Sequence, residues 1–325
     1  MKAWQFFRIG FLFLGISLAA TGITQGAEKK YPTKPIRVII TFAPGDTDRV
    51  LRPFIEKMSD YLGQPMTLVY KPGAGGALGA AFVAESKPDG YTLVGSSESA
   101  ILLLPLTRKE LSYTLQSFIP ICGLVEGALC LVVKSDAPWK TLKELVADAK
   151  KSPGQITYSS SGTFAMPHLF TEGFLKEAGI KLNYIPSQGG GPAVTALLGG
   201  HVHMFSGPIA PPLPHIKAGT LRALAAATKN RIRALPDVPT LSELGYPIAT
   251  SIIYGLLAPK DTPKEVVETI YSAAKKVVEE HRDSIAERLE MMGVQIGFRS
   301  PKEYAVHLAG QKELFSGILK LLDHQ

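Results

Sequence analysis

The chain alternates between two hydrophobic rhythms. Ile36-Arg37-Val38-Ile39-Ile40-Thr41 is a nearly continuous apolar run, the pattern of a strand in a parallel sheet covered on both faces. Beyond Pro44-Gly45 the spacing changes to threes and fours. Val50, Leu51, Phe54, Ile55, Met58 and Leu62 share one helical face, which predicts a helix over Thr47–Leu62 closed by Gly63-Gln64-Pro65. Met66–Tyr70 returns to a strand, and the glycine-rich turn 71–79 opens a helix over 80–86. A third strand, 91–94, follows the Pro88-Asp89-Gly90 turn. This βαβαβ order is the unit of a doubly wound sheet.

The series then repeats. Residues 118–133 read as extended with a break near Glu126-Gly127, and Thr141 with Glu144 forms a capping box for a helix over 141–150. Ile156-Thr157-Tyr158 leads through Ser159-Ser160-Ser161-Gly162-Thr163 to a helix over 168–178. Residues 180–185 are extended, Ser187-Gln188-Gly189-Gly190-Gly191-Pro192 opens a helix over 193–198, and strands at 202–205 and 221–227 flank a helix over 213–218. A strand at 252–257, helices over 264–281 and 284–292, a strand at 295–298 and a helix over 301–322 close the chain. Thr262-Pro263-Lys264-Glu265 carries the marks of a capped helix start. The expectation is an α/β architecture of two doubly wound lobes joined by two crossover strands, with a cleft between them. One lobe takes 27–128 and 253–325, and the other, 129–252, is inserted into it.

Two strand–loop–helix corners stand at equivalent places in the two series. Backbone N–H groups at a helix start suit a carboxylate or phosphate. In the first corner Asp46, Thr47 or Asp48 can equally cap the helix, and in the second the serines, Gly162 and Thr163 crowd hydroxyls and amides together. Facing one another across a cleft, the two corners would hold a small anion.

Composition narrows the setting. A 46% hydrophobic and 19% charged chain of 325 residues folds, and is long enough for two cores. Residues 1–26 read as an export leader: Lys2 and Arg8 precede an apolar run, 9–20, shorter than the roughly 20 residues of a membrane span, and small residues lead to a cut near Gly26-Ala27. No Cys ends that run to take a lipid, and no later segment is apolar enough to span, so a soluble protein outside the cytoplasm is expected. Losing Lys2 and Arg8 lowers the formal net charge of +7 by two. The remaining cations are scattered without interleaved aromatics, which argues against nucleic acid and for a surface mildly favouring anions. Cys122 and Cys130 lie in apolar runs, where a disulfide and two buried free thiols are equally open readings.

Three other patterns carry little chemistry. Gly73, Gly75, Gly76 and Gly79 do not make G-x-G-x-x-G, because Leu78 stands in the third glycine place, and they read as a turn packing a helix onto the sheet. His201 and His203 alternate on a strand, but further metal ligands such as His168 or His215 would have to come from afar. Ser159, Ser160 and Ser161 lack a nucleophile elbow and an assignable base. No catalytic residue, cofactor or metal is assigned.

Several strings together resemble the tripartite tricarboxylate transporter substrate-binding proteins, the Bug family, over essentially the whole mature chain. They are Tyr31-Pro32-Thr33-Lys34-Pro35-Ile36-Arg37-Val38, Pro44-Gly45, Lys71-Pro72-Gly73-Ala74-Gly75-Gly76, Pro88-Asp89-Gly90-Tyr91-Thr92-Leu93, Ala196-Leu197-Leu198-Gly199-Gly200, Pro214-His215-Ile216-Lys217-Ala218-Gly219 and Leu235-Pro236-Asp237-Val238-Pro239-Thr240. The resemblance implies a type II periplasmic binding-protein fold, closing like a Venus flytrap on a small organic carboxylate and delivering it to membrane permease subunits. A monomer is expected. The family's carboxylate loops correspond to Phe42, Pro44, Gly45, Asp46, Thr47 and Asp48 on one side. On the other they correspond to Ser160, Ser161, Gly162, Thr163, Phe164 and Ala165, and His168 is also expected to contact the ligand. Gln188, Gly189 and Gly190, and the strand end at Ser97 and Glu98, are expected at the far end of the ligand. A solute sensor serving a membrane kinase and an exported hydrolase are the alternatives.

The first loop is one residue shorter than the family's, with Asp46 where a glycine is expected. An ionised Asp46 about 4 Å from a ligand carboxylate would cost roughly 4 kcal/mol at an effective dielectric of 20. Either Asp46 points away as a cap, or the ligand carries an amino group, a hydroxyl or a cation there. Phe164 stands where a small polar residue is usual, which suits an apolar or aromatic ligand body.

Overall fold

The computed structural model describes residues 30–323, and the leader read at 1–26 lies outside them. Strand β1 (Ile36–Ile40), buried at every position but Arg37, runs parallel to β2 (Met66–Tyr70) and β3 (Thr92–Ser97). Helix α1 (Thr47–Leu62) buries all six apolar residues read from its spacing. Each such side chain removed from water contributes about 1.5–3 kcal/mol. Gly63 closes the helix in the left-handed region at φ +64°. Helix α2 (Ala77–Ala84) returns the chain to β3, and α3 (Leu104–Thr107) follows it.

Strand β4 (Phe118–Lys134) does not break at Glu126-Gly127. A Cβ at Gly127 would meet Ile252 and Val294 side chains at 3.2 and 3.4 Å, so glycine serves close cover of a continuing strand. The irregularity appears instead as register shifts on either side of Gly123. After α4 (Leu142–Lys151) comes a second parallel set: β5 (Thr157–Ser159), α5 (Met166–Ala178), β6 (Asn183–Ile185), α6 (Gly190–Leu198) and β7 (Met204–Pro208). Helix α7 (Leu213–Lys217) and β8 (Leu221–Ala226) precede β9 (Ser251–Pro259), α8 (Lys264–Glu280), α9 (Arg282–Glu290), β10 (Val294–Arg299) and α10 (Pro301–Asp323).

The strand order is β2-β1-β3-β9-β4-β7-β5-β6. The early part of β4 pairs β9 and β10, and from Leu129 it pairs β7 and β8. One strand thus crosses from the first sheet to the second, and β9 brings the chain back. The result is two doubly wound α/β halves with a cleft between them.

Local chemistry explains where expectations hold and fail. The capping box at α4 forms: Glu144 N–H donates to Thr141 Oγ1 at 3.2 Å, and Thr141 N–H donates to Glu144 Oε2 at 3.2 Å. None forms at α8, because Thr262 is buried and its hydroxyl donates to the Pro259 carbonyl at 2.7 Å. His201 and His203 precede β7 rather than lying on a strand, and Thr157 N–H donates to His203 Nδ1 at 3.0 Å. Cys122 and Cys130 are buried free thiols. Eight residues of strand hold them roughly 25 Å apart, far beyond disulfide reach. Burial pushes the Cys122 thiol up to about 12. Among the described residues no helix is long and apolar enough to cross a membrane.

Candidate functional site

At the end of β1 the chain turns through Gly45, whose φ of +115° lies where side-chain-bearing residues are strained. Helix α1 starts from the Asp46 carbonyl, which accepts from the amides of Arg49 and Val50. The Asp48 carboxylate folds back over this start. Its Oδ1 accepts from Gly45 and Asp46 N–H at 2.8 and 3.2 Å, and its Oδ2 accepts from Tyr70 Oη at 3.0 Å. Two of the loop amides expected near an anion, those of Gly45 and Asp46, are therefore taken by the protein's own carboxylate. Asp46 does not cap the helix with its side chain. It is 3% exposed and accepts from the Tyr254 hydroxyl at 3.1 and 3.3 Å. Burial drives this carboxyl from its ordinary 3.8 up to about 7; the Tyr254 bond opposes that, the Asp48 charge adds to it and Arg49 opposes it.

The second corner is built from neutral groups. Ser159 Oγ donates to the Ile185 carbonyl, and Ser160 Oγ lies 3.3 Å from Tyr184 Oη. At the start of α5, Phe164 N–H donates to His168 Nδ1 at 3.1 Å, Ala165 N–H to the Gly162 carbonyl at 3.2 Å and Met166 N–H to Ser99 Oγ at 3.0 Å. An accepting Nδ1 carries no proton, so His168 is neutral in this arrangement. Burial lowers its pKa, with Glu172 opposing. Phe164 sits at φ +60°, a strained region for a non-glycine residue, and the His168 bond holds it there. Its ring is partly exposed beneath the Arg108 guanidinium, 5.8 Å from the ring centre.

The corners meet through glycines. Ala43 N–H donates to the Gln188 carbonyl at 3.1 Å. A Cβ at Gly191 would lie 2.5 Å from the Pro44 carbonyl oxygen, and one at Gly189 would lie 3.2 Å from Ala43 N. At Gly190 a Cβ would stand 3.5 Å from both Asp46 Cβ and Ser161 Oγ. Gly75, in the turn that sequence reading left as plain packing, approaches the Thr163 carbonyl, where its Cβ would be 2.9 Å away. Segments 42–48, 160–165 and 188–190 are thus brought together, joined by 73–76. His168 supports them from behind.

Each corner carries one buried hydroxyl without a hydrogen-bond partner, Thr47 Oγ1 in the first and Ser161 Oγ in the second. A buried hydroxyl in that state costs about 1–3 kcal/mol, which a ligand acceptor would recover. Ser97 is buried opposite Tyr254 in the β3–β9 register. Glu98 is fully buried with its oxygens engaged elsewhere: Oε2 accepts from Ile253 N–H at 2.8 Å and Oε1 lies 3.5 Å from His307 Nε2, tying β3 to β9 and α10. A groove of about 670 Å³ elsewhere, lined by Glu126, Lys229, Arg231 and Arg282 among others, contains none of the candidate residues.

The sequence pattern does not mark Tyr254 or Ser99 as site residues, and it marks Gly75 and Gly191 only as turn glycines. A tyrosine in the aliphatic run of β9 needs a partner for its hydroxyl once buried, and Asp46 needs a donor. That complementarity was readable, but the pairing spans 208 positions and needs the fold to reveal it.

A family model described as a tripartite tricarboxylate transporter family receptor matches residues 50–321. Protein BugT of Bordetella pertussis is 32% identical over 312 residues, covering 94% of this chain and 95% of its own. A solved structure of a periplasmic transporter superposes with a TM-score of 0.86 at 37% identity, over 89% of this chain and 97% of that one. MatC from Rhodopseudomonas palustris, solved with bound malate, gives 0.84 at 26% identity, over 89% of this chain and 99% of its own.

Proposed function

Because the chain belongs to the tripartite tricarboxylate transporter family of receptors, we propose that it is an exported, non-catalytic receptor that captures a small carboxylate and presents it to a membrane permease. The leader 1–26 directs export and is removed. Residues 27–128 with 253–325, and 129–252, act as two lobes that close on the solute, using β4 and the approach to β9 as the hinge. The protein works as a monomer.

The observation that carries this reading is the pair of buried hydroxyls, Thr47 Oγ1 and Ser161 Oγ, left without partners one in each corner. Hydroxyl donors fit carboxylate oxygens. The malate in MatC, a relative at 26% identity, supports the same chemical class. The three serines give a hydrolase no support: Ser159 Oγ donates to a carbonyl, Ser160 approaches a phenol and a carbonyl, Ser161 Oγ has no base bonded to it, and the Nδ1 of His168 is occupied by a backbone amide.

The test is thermal unfolding of protein stripped of carried-over ligand by refolding, across mono- and dicarboxylates. At least one acid raises the melting temperature in a concentration-dependent way, as mass action requires. A flat response to the whole panel rejects the reading. Ser161→Ala then weakens the best acid roughly fivefold, about 1 kcal/mol, while the free protein is no less stable because the deleted hydroxyl had no partner. Unchanged affinity with a destabilised free protein would assign Ser161 a structural role instead.

A further inference from the structure

The meeting of the two corners contains one group that a simple carboxylate site does not require. Asp46 lies beside one of the unpartnered hydroxyls: its Cβ and Ser161 Oγ each stand 3.5 Å from the Cβ position of Gly190, so twice that distance is the most that can separate them. Thr47, which carries the other, is its chain neighbour. Its carboxylate has room for about four hydrogen bonds, and the donor given to it is one tyrosine hydroxyl shared between its two oxygens. The neighbouring carboxylate of Asp48 is satisfied by two amides and a phenol, with Arg52 3.9 Å away. The contrast is informative. Asp48 is a structural cap with its capacity filled, whereas Asp46 is a buried acceptor with capacity to spare, near a hydroxyl that lacks an acceptor.

We propose that Asp46 is the specificity residue of the site, and that the ligand is a 2-hydroxy or 2-amino carboxylate. Its carboxylate takes the Thr47 and Ser161 hydroxyls, and its adjacent O–H or N–H donates to Asp46. This rests on the carboxylate-receptor reading above and adds what the acid carries beside its carboxylate. The arrangement excludes unsubstituted acids by the same means. They offer Asp46 no donor and set a second negative charge beside it. One carbon separates the acceptor and donor ends of such a ligand, which suits two recognition elements gathered around a single glycine. Tyr254 keeps the Asp46 carboxylate turned to one orientation from β9, so the preference is built into the fold.

The experiment compares matched acids by calorimetry at pH 8 in the full refolded protein: propionate, lactate and alanine; succinate, malate and aspartate; adipate, 2-hydroxyadipate and 2-aminoadipate. Within the set that binds, a hydroxy or amino member binds at least tenfold more tightly than the unsubstituted acid. Asp46→Gly brings that ratio within threefold, and Asp46→Asn, which retains an acceptor for Tyr254, lowers the amino acid's advantage more than the hydroxy acid's. An unsubstituted acid that binds as well as its substituted partners overturns the proposal while leaving the carboxylate receptor intact. An unsubstituted acid gains affinity as pH falls through 7 in the native protein but not in Asp46→Asn, because protonation of Asp46 removes the charge that excludes it. Failure of every member of every set to bind removes the carboxylate reading and the proposal with it.

Discussion

At the end of β1 a carboxylate takes the two loop amides ahead of the helix, those of Gly45 and Asp46, whereas at the end of β5 an imidazole, a carbonyl and a hydroxyl take the amides of Phe164, Ala165 and Met166. The two corners have the same topology and similar lengths, and either could have been a generic anion hole. Their fillings make them unlike. The first carries Asp46 and Asp48 within one turn, and the second carries serines, a threonine and a neutral His168. Topology therefore sets where the ligand lies, and side-chain chemistry sets what each end of it meets. Burial also acts on the two corners with opposite sign. It pushes Asp46 up to about 7 and pulls His168 down, so each corner is driven toward neutrality by moving a proton in the opposite direction.

The largest consequence falls on Asp46. Between 3.8 and about 7 the native state holds a proton that the unfolded chain releases. Stability therefore falls as pH rises through that window and levels off above it, by up to about 4 kcal/mol for a displacement of this size. Asp46→Asn keeps an acceptor for Tyr254 and removes the charge. Denaturant titrations at pH 4, 6 and 8 then show the variant level with the native protein at pH 4 and more stable at pH 8. A difference that stays constant across the three pH values would show that Asp46 is not held neutral by burial.

The next effect tests whether the corners need to touch. Gly191→Ala places a methyl group where the Pro44 carbonyl oxygen stands 2.5 Å away, a backbone atom that cannot rotate aside. Overpacking of this kind costs about 2 kcal/mol, or roughly thirtyfold in Kd, because the contact belongs to the arrangement that surrounds the solute. Affinity within threefold of the native value would show that the approach of α6 to Pro44 is dispensable. Unfolding of the free variant separates this from a general loss of stability.

Much of this was legible in the sequence where one period dominated. Helix α1 begins and ends where its six apolar residues and Gly63 place it, and the Thr141–Glu144 box forms as its spacing requires. Sequence reading failed where a residue served a distant partner. Gly127 looked like a strand end because its close neighbours, Ile252 and Val294, lie more than a hundred residues away. Thr262 looked like a cap, yet its burial sends the hydroxyl to Pro259. Asp46 was recognisable as out of place in an anion loop, but its orientation depended on Tyr254, which no local pattern supplies.

The smallest expected effect belongs to His168, because Glu172 partly offsets the burial that lowers its pKa. Here the native state binds fewer protons than the unfolded chain once pH drops below 6.5, the ordinary histidine value. Stability is thus present above that pH and lost as pH falls through the native value, the reverse of Asp46. The structural event is specific. A protonated imidazole has two N–H donors and no acceptor, so it cannot receive the Phe164 amide, and the left-handed residue at the ligand loop loses the bond that holds it. His168→Asn replaces Nδ1 with a carbonyl oxygen that accepts at any pH, and so flattens the acid side of the stability profile. The sharper readout is hydrogen exchange at the Phe164 amide, corrected for the intrinsic pH dependence of exchange. Followed downward from pH 6.5, protection falls in the native protein as the imidazole takes its proton and holds in the variant. If native and variant protection stay alike down to the acid limit of folding, the imidazole is not what holds the second corner, and the opposite titration of the two corners reduces to Asp46 alone.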